Sequence, residues 1–197
     1  MIDITNISKD IPYDIFKTFF NKALENNQQA IDAICISSYD LGTEQSDARF
    51  VNLKYIINDE WIFFSNYNSP KSKQFSLSDK ISATFYWHSI DAQIRIKAKI
   101  YKSDSTFSDK HFLSRNREKN AIAISSNQSN HIDSYEKVVS SYKSLLESKK
   151  ELVRPDYWGG FSFRPFYFEF WEGNQKRANK RESYELKDGN WKKILLQ

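Results

Sequence analysis

Apolar and polar positions alternate with a period of two along residues 92–103, AQIRIKAKIYKS. Ile94, Ile96, Ala98 and Ile100 fall on one face, and Gln93, Arg95, Lys97 and Lys99 on the other. That spacing predicts a strand with one buried side. The stretch 12–29 has another period. Phe16, Phe19, Phe20, Ala23 and Leu24 recur at helical spacing, which predicts an amphipathic helix. Further strands are predicted over 30–40 and 81–88, and 48–66 reads as two strands around a tight Asn58-Asp59 turn. Ser69 and Pro70 form a helix-start signal, with serine as the cap and proline at the first helical position. Residues 105–129 read as short helices with a polar end. Residues 132–150 predict an amphipathic helix with Tyr135, Val138, Val139, Tyr142, Leu145 and Leu146 on one face. An aromatic-rich block follows at 157–171, and a hairpin over 181–196 turns at Asp188-Gly189.

About six or seven strands in two groups, with three or more helices, do not follow a regular βαβ order. They predict one α+β domain over 1–197, mainly β, in which an antiparallel barrel is surrounded by helices.

Composition narrows the class. A chain of 197 residues with 40% hydrophobic and 16% aromatic residues can bury a real core, which excludes a disordered chain. No apolar run approaches the roughly 20 residues that cross a bilayer. The N-terminus MIDITNISKD has no charged leader before an apolar stretch, and a cytoplasmic location is expected. Cys35 is the one cysteine; set between Ile34 and Ile36, it is expected to be a small buried thiol. The net charge of +4 does not select a partner, so the placement of the cations must decide.

Side-chain chemistry is sparse. His88, His111 and His131 with one cysteine give no metal-site spacing. Gly159-Gly160 is an isolated pair, not a phosphate-binding loop, and no nucleophile elbow occurs. An enzyme built this way would leave the hard step to a cofactor. Two cation-dense stretches, RFVNLK (49–54) and WEGNQKRANKR (171–181), nevertheless interrupt strand-like sequence. Alternation puts Arg49, Val51 and Leu53 on one face and Phe50, Asn52 and Lys54 on the other. Lys71 lies in the first turn of the helix that starts at Ser69. Free N–H groups and the positive dipole end favour a phosphate there. An ordinary capped surface helix explains the same residues.

Seven fragments in order, RFVNLK, FFSNYNSPKSKQ, WHSIDAQIRIKA, SRNRE, SSNQS, YWGGF and FEFWEGNQKRANKR, resemble the pyridoxamine 5′-phosphate oxidase family from about residue 14 to the C-terminus. The resemblance implies a Greek-key split β-barrel that binds flavin mononucleotide (FMN) across a homodimer interface. It also implies a C-terminal dimerisation and active-site segment from about residue 155. Arg49 and Lys71 would hold FMN through its phosphate and nearby polar atoms, with Phe50, Val51, Asn52, Leu53 and Lys54 running along the flavin. Phe64, Ser65 and Gln93 match further FMN contacts. Gln128, Ser129, Trp171 and Arg181 match the set expected from the other subunit. Lys54, Arg115 and Arg177 match residues that grip a phosphorylated substrate, with Arg177 over its ring.

Four positions depart from the family pattern. Pro70 replaces the first of two adjacent cations. His111 and Lys119 stand where a tyrosine and a serine help hold the substrate phosphate, and both can still donate to it. Asn179 stands where a titratable histidine follows Arg177. Arg177 and Asn179 are the candidate catalytic pair, and no metal is expected. Three readings follow. The first is an FMN-dependent oxidase of pyridoxamine or pyridoxine 5′-phosphate, using O2. The second is an FMN oxidoreductase of the same fold with another substrate, of the phenazine-biosynthesis type. The third is a non-enzymatic flavin- or nucleic-acid-binding protein, whose best support is the strip Arg95, Lys97, Lys99. A solvated strand face explains that strip equally well.

Overall fold

The computed structural model describes residues 1–126, 128–129, 131–148, 150–174 and 178–196. In chain order its elements are β1 (Asp3–Thr5), α1 (Ile11–Glu25), β2 (Ala33–Asp40), β3 (Gln45–Ile57), β4 (Glu60–Asn66), α2 (Pro70–Leu77), β5 (Lys80–Trp87), β6 (Ala92–Lys102), α3 (Ser105–Ser114), α4 (Arg117–Ser125), α5 (Tyr135–Glu147), β7 (Trp158–Glu172), β8 (Lys180–Lys187) and β9 (Asn190–Leu196). A short 3-10 turn, His88–Ile90, joins β5 to β6.

Six strands close on themselves. The order runs β3, β2, β5, β6, β7, β4 and back to β3, every pair antiparallel. Closure removes the open edges that would otherwise invite pairing with another chain. β1 adds to β3 in parallel, and β8 and β9 extend the sheet beyond β7. The fold is a split barrel of the α+β class. The nine strands among the described residues exceed the predicted six or seven. β1, only three residues long, carries no pattern to read.

The alternation of β6 holds. Ile94, Ile96, Ala98 and Ile100 are buried in the ring, while Arg95, Lys97 and Lys99 face out. α1 lays its aromatic stripe on the ring: Phe16 meets Trp61, Phe85 and Trp87 at centroid distances of 4.5, 5.9 and 5.8 Å, and Tyr13 meets Phe168 at 5.1 Å. Such a cluster carries much of the stability; truncating a buried phenylalanine to alanine costs about 3–5 kcal/mol. α1 stops at Glu25, short of the predicted residue 29. Asn26 and Asn27 follow, and Asn27 takes a left-handed φ of 52°, which asparagine tolerates and which ends the helix. β2 accordingly starts at Ala33, not at residue 30.

Three other expectations change. Cys35 is half-buried, because Ile34 and Ile36 are the residues of β2 that face the core. α5 buries none of its residues, and Tyr135 is 70% exposed; the helix packs on α4, whose Arg117 donates to the carbonyls of Leu145 and Leu146, and not on the barrel. Ser69 sits at the N-cap position of α2 but does not cap: its hydroxyl donates to Asn66 O at 2.8 Å and accepts from Lys71 Nζ at 3.0 Å. The C-terminal turn is as predicted. Asp188 and Gly189 have φ of 52° and 75°, the pair of positive angles that a two-residue hairpin needs. No described helix is long and apolar enough to cross a membrane.

Candidate active site

The cleft of about 740 Å³ opens between β3, β4, α2 and the α3–α4 corner. Cations gather at two ends of it. At the first end, β3 delivers Arg49 and α2 delivers Lys71. Arg49 Nη1 donates to Ser38 Oγ at 2.6 Å and to Ile36 O at 3.3 Å, and Nη2 donates to Gln74 Oε1 at 3.4 Å and lies 3.3 Å from Asp47 Oδ2. Gln74 in turn donates to Asp47 at 3.0 Å and accepts from Ser38 at 2.5 Å. The guanidinium is therefore fixed in place by the barrel and α2 together. Lys71 is only 7% exposed, and Ser69 is its one hydrogen-bond partner among the described residues. Burial, then the Arg49 charge, push its ammonium down to about 8. Pro70 keeps the helix start intact because its missing N–H is not needed there.

At the second end, Lys54, His111, Arg115 and Lys119 line the cleft. A β-bulge brings Lys54 there. The β3–β4 register slips between Leu53 and Tyr55, so Leu53 and Ile56 are both fully buried while Lys54 and Tyr55 both reach the His111 end. Lys54 Nζ donates to Asp32 at 2.7 Å. The Tyr55 hydroxyl lies 2.8 Å from His111 Nδ1, and the imidazole stacks on Phe64 with centroids 3.7 Å apart at 12°. Phe64 also lies nearly parallel to Trp158 at 5.3 Å. Arg115 sits 4.4 Å over the Trp158 ring, and its Nη2 donates to Lys119 O at 2.7 Å. Its Nη1 is buried with no partner among the described residues. Burial, then Arg115, Lys54 and Lys119, push the His111 imidazole down to about 4. It is neutral at pH 7.

Gly159 and Gly160 make this packing possible. A Cβ on Gly160 would stand 2.6 Å from Ser103 Oγ and 3.2 Å from the Phe64 ring, and one on Gly159 would meet the Tyr67 hydroxyl at 2.2 Å. The pair is a close-approach device under the aromatic wall.

Most of the sequence-predicted residues converge on this cleft: Arg49, Phe50, Val51, Asn52, Lys54, Phe64, Ser65, Lys71, His111, Arg115 and Lys119. Leu53 does not, since its side chain belongs to the core. Within one chain the residues expected from two subunits fall into different groups. Gln128 and Ser129 line the cleft of the same chain that supplies Arg49 and Lys71. Gln93, expected with that set, instead sits in register with Trp171, and Trp171 with Arg181, across β6, β7 and β8. None of these three lines the cleft. Arg181 Nη2 donates to the buried Glu169 at 2.8 Å, and Arg95 pairs with the same carboxylate at 3.2 Å. Part of the Arg95–Lys99 strip is thus neutralised within the sheet. Asn179 lies beyond the cleft as well, where its Oδ1 accepts from Asn174 N at 3.0 Å and so shapes the β7–β8 connection. Arg177 lies outside the described residues. Tyr55, Asp32, Gln74 and Trp158 were not singled out from the sequence. Only the bulge and the tertiary contacts give them their places. Among the described residues no cluster of His, Cys, Asp or Glu could hold a metal.

Comparison with known proteins supplies the family context. Residues 158–197 match the model of the pyridoxine 5′-phosphate oxidase C-terminal dimerisation region. A pyridoxine/pyridoxamine 5′-phosphate oxidase of Christiangramia forsetii is 36% identical over 186 residues, covering 93% of this chain and 86% of that protein. One of Leptospira biflexa is 33% identical over 182 residues, covering 91% and 85%. Among solved structures, PhzG from Burkholderia lata, in complex with tetrahydrophenazine-1-carboxylic acid, has a TM-score of 0.90 at 22% identity and covers 94% of this chain and 92% of its own. A pyridoxamine 5′-phosphate oxidase-related, FMN-binding protein from Nostoc punctiforme has a TM-score of 0.75 at 11% identity, covering 92% and 96%. Those two likenesses establish the split-barrel fold.

Proposed function

The chain belongs to the pyridoxine/pyridoxamine 5′-phosphate oxidase family, and we propose that it is an FMN-dependent oxidase of pyridoxamine or pyridoxine 5′-phosphate that works as a homodimer. The observation that carries this reading is a single cleft with two groups of cations, Arg49 with Lys71 and Lys54 with Arg115 and Lys119, the second group beside the Phe64, His111 and Trp158 stack. Two such ends suit two phosphates, one on the cofactor and one on the substrate.

The residues fit FMN. Lys71 is a buried cation beside a second cation, and neighbouring positive charges of that kind are best stabilised by a shared anion. Arg49, with its fork already oriented, would hold the same phosphate. Phe50, Val51 and Asn52 would flank the ring system, with Ser65, Gln128 and Ser129 as polar contacts. Gln93, Trp171 and Arg181 would come from the second subunit as one cross-strand ladder. When bound, FMN would supply the acceptor for a hydride from the carbon bearing the amine or alcohol and would pass the electrons on to O2, giving hydrogen peroxide.

The chain's own part is position and charge. Lys54, Arg115 and Lys119 would hold the substrate phosphate, with Arg115 kept flat by Trp158 and its free Nη1 available to an oxygen. Arg177 would cover the substrate ring, and Asn179 would fix the loop that carries it. Neutral His111 would add one hydrogen bond. With an amine substrate, the imine product hydrolyses to the aldehyde and ammonia.

His111, Lys119 and Asn179 also favour a second reading, the same flavin chemistry on a different substrate. One experiment separates the two: the FMN-loaded protein is mixed with pyridoxamine 5′-phosphate without oxygen, and the flavin absorbance is followed by stopped flow. Fast bleaching is expected. No bleaching with FMN fully bound would discard pyridoxamine 5′-phosphate as the substrate.

A further inference from the structure

We propose that His111 makes the second end of the cleft selective for phosphate monoesters by taking up a proton as the dianion binds. The proposal rests on the substrate-phosphate role given above to Lys54, Arg115 and Lys119.

Geometry carries the argument. The imidazole cannot swing away, because Phe64 stacks on its face and Tyr55 holds Nδ1. Nε2 has no hydrogen-bond partner among the described residues. The charged and titratable groups around the ring come from two elements and one corner. β3 brings Lys54 and Tyr55, the residue after α3 is Arg115, and α4 brings Lys119. β4 and β7 present only the uncharged Phe64 and Trp158, and α3 adds Phe107. Asp32 stands behind Lys54 and is bound to it.

Lys54, Arg115, Lys119 and the Met1 ammonium, which shares Asp32 with Lys54, are four cations; less the two carboxylates Asp32 and Asp3, the latter beside Tyr55, they leave this end with two net positive charges. That field favours the tautomer whose proton sits on Nδ1, donated to the Tyr55 oxygen, with the lone pair on Nε2 toward the cations. Burial and the same cations explain why the ring is neutral in the free protein. A phosphate dianion cancels both net charges, and its oxygens then favour a proton on Nε2. The proton comes from solvent, and the Nδ1 bond to Tyr55 need not change. A carboxylate brings one negative charge, leaves the site positive and leaves His111 neutral. A tyrosine at this position, as the family resemblance has it, could not gain a proton at all. His111 is therefore a specificity-determining residue that distinguishes a phosphate ester from a carboxylic acid of similar shape.

The test is calorimetry on the FMN-loaded protein with 4-deoxypyridoxine 5′-phosphate, which lacks the oxidisable group. It is run at about pH 7.5, where a phosphate monoester is already mostly dianionic. Comparing buffers of different ionisation enthalpy counts the protons taken up. Wild type should take up most of about one proton per ligand, and His111→Tyr none, with affinity kept within about tenfold. Nitrogen-15 NMR of wild type gives an independent reading: the His111 pKa should rise from near 4 to about 8 or above when the ligand is bound, as most of a proton at pH 7.5 requires. Equal proton uptake in both proteins, or a His111 ring that stays neutral at pH 7 with ligand bound, would overturn the proposal and leave the oxidase reading standing. Failure of the phosphate ester to bind while FMN is fully loaded would remove both.

Discussion

The two ends of the cleft hold positive charge by different means. Arg49 and Lys71 project from the ring and from a helix buried against it. Arg49 is tied to a carbonyl, a hydroxyl, an amide and a carboxylate, and Lys71 is almost fully enclosed. Lys54, His111, Arg115 and Lys119 come from a bulge and from two short helices outside the ring. There the order is imposed by aromatic stacking, one arginine nitrogen has no described partner, and Lys119 is exposed. A change at the first end disturbs barrel packing. A change at the second disturbs a stack of rings lying on the barrel. Two of the four departures from the family pattern, His111 and Lys119, fall at the second end. The first end has only Pro70, which the helix start accepts without strain. The architecture thus separates a fixed cationic end from an adjustable one.

The largest expected effect tests whether the fixed end is completed by a second chain. Arg49→Ala should weaken FMN binding by about 10³-fold, because several charge-assisted bonds are lost together. Arg181→Ala should also weaken it. Equal amounts of the two variants, unfolded and refolded together, should recover about a quarter of the wild-type flavin sites. Half of the dimers are then mixed, and one site of each mixed dimer is intact. A mixture that binds no more FMN than its components would show that Arg181 serves its own chain.

Lys71→Met sharpens the comparison from the other side. Removing a buried ammonium while keeping its volume should leave the FMN-free protein at least as stable, by up to about 1 kcal/mol in thermal unfolding, and cost about 10²-fold in FMN affinity. Loss of both stability and affinity would mean that Lys71 holds the barrel together rather than the cofactor.

At the adjustable end, Arg115→Met should keep the stack on Trp158 and leave FMN affinity unchanged. It should raise KM for the phosphorylated substrate about 30-fold with a smaller change in kcat, as expected for lost ground-state and transition-state binding alike. A fall in kcat at constant KM would instead place Arg115 at the reacting carbon.

The contrast between the ends also explains what could be read from the chain. β6 declares itself because Ile94, Ile96, Ala98 and Ile100 obey one period over its whole buried length. The fixed cations were legible only in part: the strand period puts Arg49 on a face and Ser69-Pro70 marks the helix start that carries Lys71, but an ordinary capped helix explains the same pattern, and their role comes from the family resemblance. The bulge after Leu53 was not legible. It is a property of the pairing between β3 and β4, and nothing local distinguishes Leu53-Lys54-Tyr55 from a regular strand. The company kept by Gln93 was hidden likewise, since its register with Trp171 and Arg181 is set across three strands. Ser69 looked like a cap and instead supports Lys71, a choice made by the buried ammonium two residues on.

The smallest expected effect is a pH dependence belonging to the fixed end alone. In the FMN-free protein Lys71 titrates near 8, against an ordinary value of 10.5. Between those values the unfolded chain binds the proton more firmly than the folded one, so the stability of the FMN-free protein should rise as pH climbs through this window. FMN binding should respond with the opposite sign. A phosphate favours the charged ammonium, so above pH 8 binding must restore a proton, and affinity should fall by at most about tenfold per pH unit. Between about pH 7 and 8 it should be nearly flat, since the phosphate itself titrates lower, near 6. Lys71→Arg should abolish the fall, because a guanidinium stays charged throughout this range. Fluorescence titration of FMN against both proteins from pH 7 to 9.5 reads the difference directly. Identical profiles would assign the loss to another group and leave Lys71 without a part in holding the phosphate.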